Sequence, residues 1–302
     1  MSVKFEKINN DTNLMIKPHE LVKVKLFVGK AELSTVSKGK PSELPIERIS
    51  DTEYLVKSTG EVREYAKSEN RSEQIKSFKR SSKKLRELVN ANFGGFANEF
   101  MITLTYKENM TDVERLYPDF KKWKQKVIRR YGKFEYIVVR EPQGRGAWHM
   151  HVLCKFKTGT KLDYKLVNEL WEHGSMVNIK QLTDNTNVGA YLSAYMTDIE
   201  YNEQSVLDCI DAKEKIEVVE KDVNGMSKKF IKGGRIKHYP KGMQFYTKSK
   251  GIKPPSTYTT TKEQFLDEKK ITETDNLTFS QVIRISDEER VLNTRKYENY
   301  VY

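Results

Sequence analysis

Residues 134–156 read FEYIVVREPQGRGAWHMHVLCKF. Two apolar runs, Phe134 to Arg140 and Trp148 to Phe156, flank the turn-formers Pro142, Gln143, Gly144 and Gly146, and this pattern predicts a β-hairpin. The second arm carries Trp148-His149-Met150-His151-Val152. On a strand, side chains two apart share a face, so both imidazoles point to one spot and Met150 points away. Such a pair presents two nitrogen ligands to one cation, although an isolated His-x-His is more often two polar residues on an exposed face. A third ligand is expected from the neighbouring arm, where Glu141 stands just before the turn; taken alone it reads equally well as a solvated turn residue. One carboxylate beside two imidazoles makes a mixed oxygen and nitrogen site with open positions, suited to Mg²⁺ or Mn²⁺ touching a phosphate oxygen. Gly144 and Gly146 let a backbone approach closely and leave Arg145 able to meet a phosphate, but a hairpin turn favours glycine in any case.

Working outward, FMITLTY at 100–106 reads as a strand, and Phe120, Trp123, Val127, Ile128 and Tyr131 recur at helical spacing until Gly132 supplies a stop. Beyond the hairpin, the pattern predicts a helix near Leu162 to Trp171 and a strand near Met176 to Leu182. A further helix is expected after the capping stretch Asn185 to Asn187, running through Tyr191 and Tyr195. The order β-α-β-β-α-β-α predicts an α+β fold, a ferredoxin-like or RRM-like antiparallel sheet with helices on one face and one added helix. Tyr191 and Tyr195, four apart, share a helix face. A phenol becomes a good nucleophile only when a metal or base helps remove its proton, and two rings at this spacing more often serve core packing.

The flanks differ in texture. Residues 1–60 alternate short apolar runs such as Val22 to Val28 with polar breaks, a β-rich lead-in, and Gly60 to Asn92 reads as a basic amphipathic helix or helix pair. These give three expected parts: 1–98, 99–201 and 202–302. In the last, Lys228 to Lys253 holds no acidic residue, and Lys232, Arg235 and Lys237 interleave with Phe230, Tyr239, Phe245 and Tyr246. That mixture suits phosphate neutralisation with base stacking, the plain alternative being a solvated charged face. Residues 261–302 are mixed and polar, and the pattern assigns them no structure. The chain carries 54 Lys and Arg against 42 Asp and Glu, a net +12, which favours a polyanionic partner, nucleic acid first. No apolar run is long enough to span a bilayer, so no membrane partner is expected. The first eleven residues lack the apolar core of a secretory signal, which points to the cytoplasm. Cys154 and Cys209 read as ordinary reduced residues, and no phosphate-binding G-x-x-x-x-G-K-[ST] loop occurs, so strand unwinding must come from a separate helicase.

The segments FMITLTY (100–106), EPQGRGAWHMHVLCKF (141–156) and VGAYLSAYMTD (188–198) resemble, in order and spacing, the rolling-circle replication initiators of the HUH endonuclease superfamily. More loosely, the basic helix at 71–90 and KGGRIKHYP at 232–240 resemble initiators encoded by plasmids and phage-like elements of Gram-positive bacteria. The resemblance implies that His149, His151 and Glu141 hold the metal and that Tyr191 and Tyr195 are the nucleophiles. It further implies nicking of single-stranded DNA at a replication origin through a 5′-phosphotyrosine link, with the freed 3′-hydroxyl priming a host polymerase and a host helicase opening the strands. Many members place a lysine three residues after each tyrosine; here those positions hold Ala194 and Asp198, leaving Arg145 or Lys180 for that task. A transposase or relaxase of the same chemistry is an alternative, although relaxases commonly place the tyrosine before the histidines. A catalytically silent nucleic-acid-binding module of the same fold is the alternative from another class.

Overall fold

A computed structural model describes residues 4–35, 46–50, 52–57, 59–64, 75–143, 146–174, 177–182, 199–201, 217–223, 226–231, 234–240, 242–286 and 291–302. The first strands are β1 (Lys4–Asn9), β2 (Leu21–Phe27) and β3 (Lys30–Thr35), followed by the short β4 (Ile46–Arg48), β5 (Glu53–Val56) and β6 (Glu61–Glu64). Helix α1 (Ile75–Asn92) leads to β7 (Glu99–Thr105), α2 (Leu116–Tyr131), β8 (Glu135–Pro142), β9 (Trp148–Lys155), α3 (Tyr164–Glu169) and β10 (Val177–Gln181). Next come β11 (Ile199–Glu200), β12 (Val218–Val223), β13 (Met226–Ile231) and β14 (Tyr246–Lys248). The last elements are β15 (Ser256–Thr261), α4 (Lys262–Lys269), α5 (Glu273–Asn276), β16 (Leu277–Ser286) and β17 (Val291–Val301).

The elements fall into two units, residues 69–254 and the pair of segments 1–68 and 255–302. In the first, five strands pair antiparallel in the order β10-β7-β9-β8-β14. Leaving out the edge strand β14, the four strands of the β-α-β-β-α-β run lie in the order 4-1-3-2, which is the ferredoxin-like arrangement the sequence predicts. Register puts Phe100, Ile102 and Leu104 of β7 on one face with Met150, Val152 and Cys154 of β9, all buried. Helix α2 covers that face, because Leu116, Phe120, Trp123 and Val127 recur at helical spacing on its buried side. Phe120 meets the Tyr136 ring edge-on at 5.3 Å, and Tyr131 meets Phe156 at 6.2 Å. The helix stops at Gly132, whose φ of 84° is the conformation glycine adopts without a Cβ penalty. Val167 of α3 and Leu85, Leu88 and Val89 of α1 join the same core. The stretch predicted as the tyrosine-bearing helix, after Asn185, lies outside the described residues.

The second unit departs from the expected three-part division. Its six-stranded sheet, β1-β16-β17-β3-β2-β15, mixes strands from both ends of the chain, so residues 255–302 are not a tail but half of a sheet. The boundaries seen are therefore 68/69 and 254/255 rather than 98/99 and 201/202. The long strands β16 and β17 escaped the sequence reading because a polar group fills their inward positions. Lys262, fully buried, donates from Nζ to the Ile16 carbonyl at 2.9 Å and pairs with Glu298 at 2.9 Å and with Glu273. Tyr300 donates to Glu298 at 2.7 Å, and the other Glu298 oxygen accepts from the Ile16 amide at 2.6 Å. Among the described residues, no helix is long and apolar enough to cross a membrane.

Candidate metal centre

The face of the β10-β7-β9-β8-β14 sheet opposite α2 carries the polar residues. Register sets His149 between Glu141 of β8 and Thr105 of β7, and His151 between Val139 and Thr103. Because neighbouring residues of paired strands share a face, the hairpin alone is enough to bring the two imidazoles and the carboxylate together. Their ligand atoms lie within 4.8 Å of one another, a group that could hold a metal ion. Nε2 of His151 is 2.7 Å from Glu141 Oε2, and Nε2 of His149 is 3.2 Å from the same oxygen. The two imidazole rings are 4.7 Å apart.

The surroundings fit a cation. Nε2 of His149 is buried and makes no hydrogen bond, the condition expected of a lone pair reserved for another partner. Burial pushes the pKa of His149 down to about 4, and burial together with the neighbouring His149 pushes that of His151 down to about 3. Both rings are therefore neutral at physiological pH, the form that binds a metal. The second nitrogen of each ring is also engaged: Thr103 Oγ1 lies 3.1 Å from His151 Nδ1, and the Gln143 side-chain amide lies 3.2 Å from His149 Nδ1. A hydroxyl can accept from Nδ1–H, and a side-chain amide can do so through its oxygen, which frees each Nε2 for a cation. Glu141, 3% exposed, supplies the charge-bearing oxygen.

The other expected site residues divide. Arg235 reaches the group, its Nη1 pairing with Glu141 Oε1. Lys180, exposed on β10, faces the same side of the sheet as the histidines but is separated from β9 by β7. Lys237 lies in the short turn Ile236–His238. Tyr191, Tyr195, Arg145 and Lys232 lie outside the described residues. Sequence reasoning missed Thr103 and Gln143. The signal for Thr103 was present, since Thr103 and Thr105 alternate with apolar residues in FMITLTY and must face whatever the paired strand presents.

Fold and site together define a ferredoxin-like α+β region bearing a Glu/His/His group on its open face. Residues 99–200 match the family model of the replication-associated protein ORF2. That match supports a replication-associated, Rep-type role, with the interaction with DNA such a role implies. A search of curated proteins found no match.

Proposed function

We propose that the chain is a rolling-circle replication initiator of the HUH type, a metal-dependent endonuclease and strand transferase acting on single-stranded DNA. Its element would be a plasmid or phage-like element of a Gram-positive host, and it would work in the cytoplasm beside a host helicase and polymerase. The observation that carries this reading is the convergence of Glu141, His149 and His151 within 4.8 Å, inside the region that matches the replication-associated family.

In this reading Glu141, His149 and His151 hold Mg²⁺ or Mn²⁺. When bound, such an ion supplies Lewis-acid polarisation of the scissile phosphate. Thr103 and Gln143 keep the imidazoles in the tautomer that aims Nε2 at the site. The phenolate oxygen of Tyr191 or Tyr195 forms a bond to phosphorus as the bond to the 3′ oxygen breaks, leaving the 5′-phosphate on the tyrosine and a 3′-hydroxyl as primer. Basic residues, Arg145 and Lys180 with Lys232 and Lys237, steady the DNA phosphates.

A second reading is favoured by one observation: Ala194 and Asp198 stand where related initiators carry lysines. A catalytically silent nucleic-acid-binding module would tolerate those residues. The two readings part in a nicking assay with Mn²⁺ on single-stranded and supercoiled DNA carrying the sequence that flanks the gene. The enzyme reading expects a covalent protein–DNA adduct that survives denaturation, falls in Tyr191→Phe or Tyr195→Phe, and disappears in the double variant and in His149→Ala. DNA binding with no adduct would support the silent module instead.

A further inference from the structure

The residue that completes the metal centre comes from beyond the family match. Residues 99–200 contain Glu141, His149 and His151, yet the guanidinium paired with Glu141 Oε1 belongs to Arg235. The pairing leaves Oε2 as the oxygen that faces both histidines, at 2.7 and 3.2 Å. A carboxylate only 3% exposed beside two neutral imidazoles carries a charge that burial disfavours, so it needs a fixed cation nearby. Guanidinium suits that task because it stays charged and its planar fork fixes the carboxylate plane.

Arg235 is braced rather than free to sweep the surface. Its side chain is 14% exposed, and the neighbouring Ile236 and Tyr239 are buried in the core of the unit. Tyr239 packs edge-on against Trp148 at 5.4 Å and donates its hydroxyl proton to the Arg140 carbonyl at 3.0 Å. Farther on, the Arg140 amide donates to the Phe245 carbonyl at 2.8 Å, and β14 pairs with β8 from Tyr246 to Lys248. The segment from Arg235 to β14 is thus anchored on the strand that carries Glu141, at both ends of its path.

We propose that Arg235 is a positioning residue of the metal centre. It holds Glu141 as a one-oxygen donor and balances its charge before the cation arrives. The inference rests on reading Glu141, His149 and His151 as a metal site, and it assigns the segment 234–248 to that site rather than to a separate DNA-binding surface.

The test is Mn²⁺ titration calorimetry on the full chain for the wild type, Arg235→Met, Arg235→Lys and His149→Ala. Thermal melts in chelator and single-stranded DNA affinity in chelator accompany it. Partners that orient a ligand typically contribute about 10–100-fold in metal affinity, so Arg235→Met is expected to weaken Mn²⁺ binding by that range. Arg235→Lys keeps the charge but not the fork and is expected to weaken it about fivefold. DNA affinity in chelator is expected to change by less than about threefold, well below the loss from removing a direct base contact. Should the methionine variant fail to fold, the lysine variant decides. Wild-type Mn²⁺ affinity in a folded Arg235 variant, or a loss confined to DNA affinity, overturns the proposal. A wild type that binds Mn²⁺ no better than His149→Ala overturns the metal reading itself, and the proposal with it.

Discussion

His151 and His149 are neighbours on one face but are held by different partners, a hydroxyl and an amide. Thr103 can donate to Nδ1 when the Nε2 proton of His151 points at Glu141, or accept from Nδ1–H when Nε2 is bare, so this ring can change tautomer without losing its hydrogen bond. Burial makes both rings resist protonation, and Glu141 does not reverse this because its charge is already shared with Arg235. The unfolded chain takes up these protons near pH 6.5, whereas the folded chain resists until about 4 for His149 and about 3 for His151. Between those limits the unfolded state binds more protons, so stability in chelator must fall as pH falls below about 6.5. The slope is on the order of 1.4 kcal/mol per pH unit for each histidine. Denaturant melts in chelator at pH 7 and pH 5 check it: the loss should shrink when both histidines are replaced by glutamine, and an unchanged slope would show that other groups govern acid sensitivity.

Among the elements, β7 is the most tightly constrained. An added Cβ at Gly174 would lie 2.0 Å from the Thr105 carbonyl oxygen and 2.9 Å from the Trp171 ring, and that carbonyl already accepts from Trp171 Nε1 at 2.9 Å. Backbone has little room to yield here, so Gly174→Ala is expected to destabilise the fold by about 1–3 kcal/mol, read as a lower thermal midpoint. An unchanged midpoint would mean that the end of β7 is looser than the packing suggests. The hairpin was legible in the sequence because period-two runs and a turn leave a strong local pattern, and α2 was legible because Phe120, Trp123 and Val127 repeat at helical spacing. Glu141 followed from the hairpin. The fifth strand, β14, was not legible, since three residues are too few to carry a period. Nor was the Arg235 contact, because a basic run reads the same whether its arginine meets DNA or a buried carboxylate.

For the molecule as a whole, the sheet shared by the two chain ends was the least legible feature. Its inward face relies on Lys262, Glu298 and Tyr300, so a hydropathy pattern reads these strands as polar surface. Removing one partner of a buried pair leaves the other uncompensated, so Lys262→Met is expected to cost about 3–5 kcal/mol. Pairing it with Glu298→Gln should recover part of that loss in equilibrium denaturation; equal stability of the single variant and the wild type would show that the pair contributes nothing. The strand order has a further consequence for synthesis. β1 bonds to β16 and β3 bonds to β17, so the sheet that begins the chain cannot close until Val291–Val301 has left the ribosome. Every strand around the histidines emerges earlier, and domains tend to fold as their segments appear. The metal-ligand face therefore assembles during translation while the first strands of the nascent chain still wait for their partners.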